Sequence, residues 1–256
     1  MEKDISDILR SRPTFFHRNR GVGVCITKNK EEGSRLACEI LSALVDRQTV
    51  LYLSGGTTPD LLYSLLSSDE MFLPGAVGLV DERYGERLHE KSNELMIRDT
   101  GLLKYLSLRD VPFYPVLQGK DIAETAEEYD DRVRSLTAVF RRSVAVLGIG
   151  ADGHTAGIPS RNSKFNPPAG GQNAKLDKYR LVTSFIDPRG KFKERISMTF
   201  LGLSMLDFLL VMAFGDSKQK VLEKMFTDGS REDIPARFLT DPAVASKTLF
   251  ITDQKA

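Results

Sequence analysis

The chain has no tryptophan, only two cysteines and only three histidines among its 256 residues. Cys25 and Cys38 are too few for a disulfide framework and lack metal-ligand spacing. Both are expected in the core. No run approaches the ~18 consecutive apolar residues of a membrane-spanning helix. The charged N-terminus also lacks the apolar stretch of a signal peptide, so a cytoplasmic protein is expected. No charge of either sign dominates: 36 basic and 35 acidic residues leave a net charge of +1. Such a balance provides no electrostatic footprint for nucleic acid or an anionic membrane, and any phosphate must be bound locally. Three chemical signatures are missing too. No G-x-x-x-x-G-K-[ST] occurs, no G-x-S-x-G and no H-E-x-x-H, so a Walker-type phosphate loop, a serine nucleophile elbow and a zinc-peptidase helix are not expected. No metal and no cofactor are expected.

What is present describes an ordinary globular protein, 41% hydrophobic and 28% charged. The length suits one large α/β domain or two small ones. We read residues 1–256 as a single domain, since no linker-like composition shift or repeat divides them.

Apolar runs alternate with helical patterns along the chain. Strands are expected at 21–27, 49–53, 76–80, 111–114, 144–148, 181–185, 195–199, 208–214 and 248–252. Helices are expected at 31–45, 93–100, 121–136 and after Thr58 and Ser217, each of which would act as an N-cap. Residues 1–20 are polar, and an arm or helix packing by Phe15 and Phe16 is expected, with His17 on the surface. His89, between Glu90 and Lys91 on one side and Leu88 on the other, is also expected at the surface. Residues 159–178, rich in Pro, Gly, Asn and Lys, are expected as an irregular loop beside the site. Strands alternating with helices imply a mostly parallel α/β sheet covered by helices on both faces.

The organising stretch is Val144–Ile158, where a β-branched apolar run enters a glycine-rich turn carrying Asp152, Gly153 and His154. In open α/β sheets such turns meet ligands at the carboxyl ends of strands. An imidazole exchanges protons near neutral pH without special tuning, which makes His154 the candidate general base. Gly148, Gly150 and Gly153 also match G-x-G-x-x-G, but Pro159, Pro167 and Pro168 follow and no long helix can open there, so dinucleotide binding is disfavoured. Ser54-Gly55-Gly56-Thr57-Thr58-Pro59 reads as a second ligand turn, in which free amides at a helix start and the Ser54 and Thr57 hydroxyls can hold an anion. Asp81-Glu82-Arg83 follows a third strand. Gly215-Asp216-Ser217-Lys218 follows a fourth, and Lys218 in a first helical turn is unfavourable unless an anion lies there.

Taken together, these segments resemble the 6-phosphogluconolactonase family, which shares a superfamily with glucosamine-6-phosphate deaminase/isomerase. The matching residues are 53–59, Asp81-Glu82-Arg83 with Ser92-Asn93, 147–156, Arg195–Thr199 and Gly215–Lys218. The resemblance implies a modified doubly wound, Rossmann-like fold and hydrolysis of 6-phosphoglucono-1,5-lactone in the pentose phosphate pathway. It implies that Ser54, Gly55, Gly56 and Thr57 cradle the phosphate, with Arg195 and Lys218 supplying positive charge. His154 becomes the base that activates water, Asp152 orients its ring, and Asp81 and Arg83 border the sugar. The partner implied is a small sugar-phosphate lactone, acted on by a monomer or small homo-oligomer. The deaminases resemble the chain at the phosphate loop and the histidine, but carry a Glu five residues after that histidine, where this chain has Pro159. They also follow the strand-end Asp with Glu-Tyr rather than Glu-Arg. The chain departs from the lactonase pattern at Gly157-Ile158-Pro159, which is shorter, and at 187–194, which is charged where prolines are common. A non-catalytic sugar-phosphate sensor is the third reading, although such sensors usually carry a DNA-binding domain.

Overall fold

The structure is a computed structural model that describes residues 5–10, 15–162, 165, 179–188 and 192–255. A seven-stranded sheet organises it, with strand order β1-β2-β10-β9-β6-β3-β4. The strands are β1 (Phe15–Asn19), β2 (Val22–Ile26), β3 (Thr49–Leu53), β4 (Ala76–Leu79), β6 (Arg142–Gly148), β9 (Phe208–Ala213) and β10 (Thr248–Thr252). Every pairing in it is parallel except that of β1 with β2. β3, β4 and β10 are buried along their whole lengths. That is the signature of parallel strands covered on both faces, and it explains why they read as continuous apolar runs instead of alternating ones.

A second, three-stranded sheet runs in the order β5-β8-β7, with β5 (Asp81–Arg83), β7 (Val182–Ile186) and β8 (Glu194–Met198) all paired antiparallel. The expected strands at 181–185 and 195–199 therefore exist, but outside the parallel sheet. The chain passes from β4 to β5 through Val80, whose N–H is taken by the Leu53 carbonyl and whose own carbonyl accepts from Met198. This one residue joins the two sheets.

Helices pack around these sheets. They are α1 (Ile5–Arg10), α2 (Lys30–Leu44), α3 (Asp60–Leu66), α4 (Asn93–Asp99), α5 (Leu102–Ser107), α6 (Ile122–Val139), α7 (Phe200–Met205), α8 (Gln219–Met225) and α9 (Pro242–Ala245). α2 buries Leu36, Ala37, Ile40 and Leu41, and α6 buries Ala126, Tyr129, Val133 and Leu136, the stripes expected from their helical spacing. Asp121 caps α6 by accepting from Ala123 and Glu124, and Ser92 caps α4 by accepting from Leu95.

Several local expectations are corrected. A helix forms at Ile5–Arg10 as one of the two N-terminal alternatives, but Phe15 and Phe16 sit on β1, 64% and 42% exposed, instead of packing it down. The segment 111–114 makes only an isolated bridge from Phe113 to Val77. Pro59, not Thr58, holds the cap position of α3, with no side-chain cap bond. A 3₁₀ turn over Asp216–Lys218 precedes α8, so Lys218 takes the cap position there and Ser217 caps nothing. Cys25 is buried as expected, whereas Cys38 is half-buried against Ser42 and Asp69. His89 is partly covered, stacking on Phe192 at 4.1 Å between ring centroids. The expected loop at 159–178 lies mostly outside the described residues.

Candidate functional site

The order β9-β6-β3 brings three loops to one rim: 54–58 after β3, 149–157 after β6 and 214–218 after β9. β5 and β8 close the rim from the second sheet. Between them lies a cavity of about 290 Å³ lined by Ser54, Gly55, Gly56, Thr57, Asp81, Arg83, His154, Arg195 and Lys218, together with Asn93 and Asp187. The structure thus brings all but one of the expected site residues into the lining of one cavity. The exception is Asp152, which stands behind His154.

The turn that carries His154 is closed by its own backbone. The Gly150 N–H donates to the His154 carbonyl at 2.8 Å, and the Gly153 N–H to the Gly150 carbonyl at 2.9 Å. Thr155 Oγ1 donates to the Gly148 carbonyl, and Ser197 Oγ to the Ala156 carbonyl, tying the turn to β6 and β8. Asp152 Oδ1 lies 2.6 Å from His154 Nδ1 and also accepts from the His154 backbone N–H. An ionised Asp152 makes Nδ1 the protonated nitrogen and leaves the lone pair on Nε2. Gly150 makes this approach possible, since a Cβ there would stand 2.1 Å from the imidazole.

Positive charge converges from two directions. Arg83 and Arg195 are direct cross-strand partners in the β5–β8 register, so both side chains leave the same face of the sheet. Like charges directly opposite each other are unfavourable unless an anion or counter-charge lies between them. Asp187 reaches Arg195 at 3.8 Å. Lys218 comes from the turn after β9, and partial burial lowers its pKa below the ordinary lysine value while the charge of Asp152 raises it. A half-buried ammonium on a cavity wall is the electrostatic complement of an anionic ligand. Ser54 Oγ is sealed from solvent with no hydrogen-bond partner among the described residues. Outside the cavity, Lys30 Nζ donates to the Thr57 carbonyl and to Asp60, clamping the glycine loop.

Asp81 is 7% exposed and Glu82 fully buried, so the Asp-Glu-Arg segment is a strand rather than a solvated loop. Burial pushes the Glu82 carboxyl above its ordinary value, and the amides of Asn93, Glu94 and Arg83 with the Ser92 hydroxyl pull it back. Among the amide and charged side chains of the cavity lining, Asn93 and Asp187 are the ones to which the sequence assigned no role. Asn93 had a signal, in the Ser-Asn pair at a helix start. Asp187 directly follows β7 and had none. Among the described residues, no cluster of three or more His, Cys, Asp or Glu is placed to hold a metal, and no helix is long and apolar enough to cross a membrane.

Comparison with known proteins fits this geometry. A family model described as glucosamine-6-phosphate isomerases/6-phosphogluconolactonase matches residues 30–249. The chain is 30% identical over 224 residues to the 6-phosphogluconolactonase of Rhizobium meliloti (strain 1021), spanning 85% of this chain and 89% of that one. It is 25% identical to the glucosamine-6-phosphate deaminase of Lactobacillus johnsonii, over 85% of this chain and 90% of that one. The fold is that of a 6-phosphogluconolactonase from Plasmodium vivax, with a TM-score of 0.75 at 18% identity, covering 99% of this chain and 97% of that one. The chain therefore belongs to the glucosamine-6-phosphate isomerase/6-phosphogluconolactonase family.

Proposed function

We propose that the protein is a lactonase that hydrolyses 6-phosphoglucono-1,5-lactone to 6-phosphogluconate. The observation that carries this reading is His154, its Nδ1 held by Asp152 at 2.6 Å, on the wall of the cavity that Arg83, Arg195 and Lys218 also line. The phosphate is bound by the 54–57 loop with Arg195 and Lys218, the guanidinium meeting two oxygens and the ammonium acting as a point charge. His154 Nε2 takes a proton from water as its oxygen attacks the lactone carbonyl carbon. When the bond from that carbon to the ring oxygen breaks, the imidazolium returns the proton to the ring oxygen. Asp152 holds the ring tautomer and offsets the imidazolium charge in between. Asp81 and Arg83 border the sugar. Lactones are activated esters, and general-base help of about 10²–10⁴-fold suffices for useful catalysis.

The deaminase relatives define the alternative. The position where that group carries its ring-opening Glu holds Pro159, which is buried, is not part of the cavity lining and has no acid–base chemistry. On our reading the chain is one catalytic domain over 1–256. It is cytoplasmic, works on a small molecule without nucleic acid or membrane, and needs no cofactor. It acts as a monomer or small homo-oligomer. The test is to offer both substrates: lactone loss above the spontaneous rate with no ammonia from glucosamine 6-phosphate supports the lactonase, and the reverse pattern overturns it.

A further inference from the structure

We infer that Asn93, seated by the buried Glu82 carboxylate, is a positioning residue that sets how Arg83 meets the substrate; this rests on the reading of the cavity as a sugar-phosphate site. Asn93 is fully buried, yet its side chain forms part of the cavity wall. Its Oδ1 accepts from Arg83 Nη1 at 2.5 Å, and its Nδ2 donates to the Asp81 carbonyl at 2.8 Å. Arg83 Nη1 also donates to the Lys91 carbonyl at 2.9 Å. Both Nη1 hydrogens are thereby spent inside the protein. Three donors remain, Nε–H and the two of Nη2, and Nε–H with one Nη2–H forms the side-on fork suited to a group with two acceptor oxygens. Asn93 also backs the glycine loop, since a Cβ at Gly55 would fall 1.7 Å from Asn93 Oδ1. One amide thus braces three parts of the cavity wall.

Glu82 holds the backbone that carries that amide. Its Oε1 accepts from the N–H groups of Arg83 and Asn93, both at 2.7 Å. Its Oε2 accepts from Ser92 Oγ at 2.9 Å and from the Glu94 N–H at 3.0 Å. Four donors surround a carboxylate that does not line the cavity. A glutamine in its place would turn an NH₂ group toward two of those donors whichever way it lay, so a neutral isostere does not preserve the arrangement.

The test is a double-mutant cycle of Asn93→Ala with Arg83→Ala, with Glu82→Gln as the second route to the same effect. Folding of each variant is checked by its thermal transition. Two quantities are read: kcat/KM for lactone hydrolysis above the spontaneous rate, and Kd for 6-phosphogluconate, which needs no turnover. Asn93→Ala is expected to cost about 10- to 100-fold in the native background, the worth of orienting a charge-assisted contact. In the Arg83→Ala background it should cost several-fold less, the remainder reporting its contacts with Asp81 and the Gly55 loop. Glu82→Gln should show the same loss and the same dependence on Arg83. Equal losses in both backgrounds, or no loss in the native one, would overturn the inference. A wild type that binds 6-phosphogluconate but never exceeds the spontaneous rate would sink the lactonase reading instead, while the cycle on Kd still decides the role of Asn93.

Discussion

Gly150→Ala is a one-carbon perturbation whose consequence follows directly from the geometry. The added Cβ would lie 2.1 Å from both Cε1 and Nδ1 of His154 and 2.8 Å from Asp152 Oδ1. Comfortable contact needs about 3.5 Å, so the ring must retreat by roughly 1.4 Å. The Asp152–His154 contact of 2.6 Å does not survive such a move intact. A misplacement of about 1 Å in a catalytic group can cost on the order of 10²-fold in rate. The imidazole is 45% exposed and can swing outward, and the backbone of Gly150 is not in the left-handed region, so the fold should tolerate the change. Steady-state kinetics on the lactone should therefore show kcat down by about 100-fold with KM within about 3-fold, the pattern of a lost transition-state interaction. The thermal midpoint should hardly move. A kcat within about twofold of wild type, in a variant whose crystal structure shows the ring displaced, would refute the claim that imidazole placement governs the rate.

Other substitutions separate binding from folding. Lys218→Ala should raise KM about tenfold or more with a smaller change in kcat, since it removes one charge from the phosphate site. Burial lowers the Lys218 pKa, so the neutral amine is reached at lower pH than for an ordinary lysine. KM of the native enzyme should accordingly rise with pH before the usual lysine range, and this limb should vanish in Lys218→Ala. Tyr129→Phe should lower stability by about 1–3 kcal/mol, read by urea unfolding. Its buried hydroxyl accepts from the Leu79 N–H at 2.6 Å and donates to the Leu79 carbonyl at 2.8 Å, closing the outer edge of β4, and both groups would be orphaned.

Much of the fold was legible because buried parallel strands are simple sequences. Thr49–Leu53 and Thr248–Thr252 are continuous apolar runs bounded by turns, and both form over the residues expected. β1 was not legible. It is an edge strand whose Phe-Phe-His-Arg-Asn sequence leaves its aromatics largely in solvent, so no burial pattern marks it. The small antiparallel sheet was hidden for another reason. β5 pairs with β8 across more than a hundred residues, and strand pattern carries no information about such a partner. That pairing sets Arg83 opposite Arg195 at the cavity. The Ser92 hydroxyl does cap α4, but the caps assigned to Thr58 and Ser217 failed. Thr58 lines the cavity instead of capping α3, and a 3₁₀ turn at Asp216–Lys218 displaces the expected helix start. His154, Asp152 and the glycine loop were visible because their chemistry and spacing are compact in sequence. Glu82 and Asn93 were visible as a motif, but the contacts that link them to each other and to Arg83 emerge only when the chain is folded.

The most direct measurement is the rate of 6-phosphogluconolactone loss, set against its spontaneous hydrolysis, for wild type and for His154→Ala. The account predicts fast loss in the wild type and a fall of at least about 10²-fold in the variant, with sugar-phosphate binding retained. A variant that hydrolyses the lactone as fast as the wild type would contradict the assignment of His154 as the base.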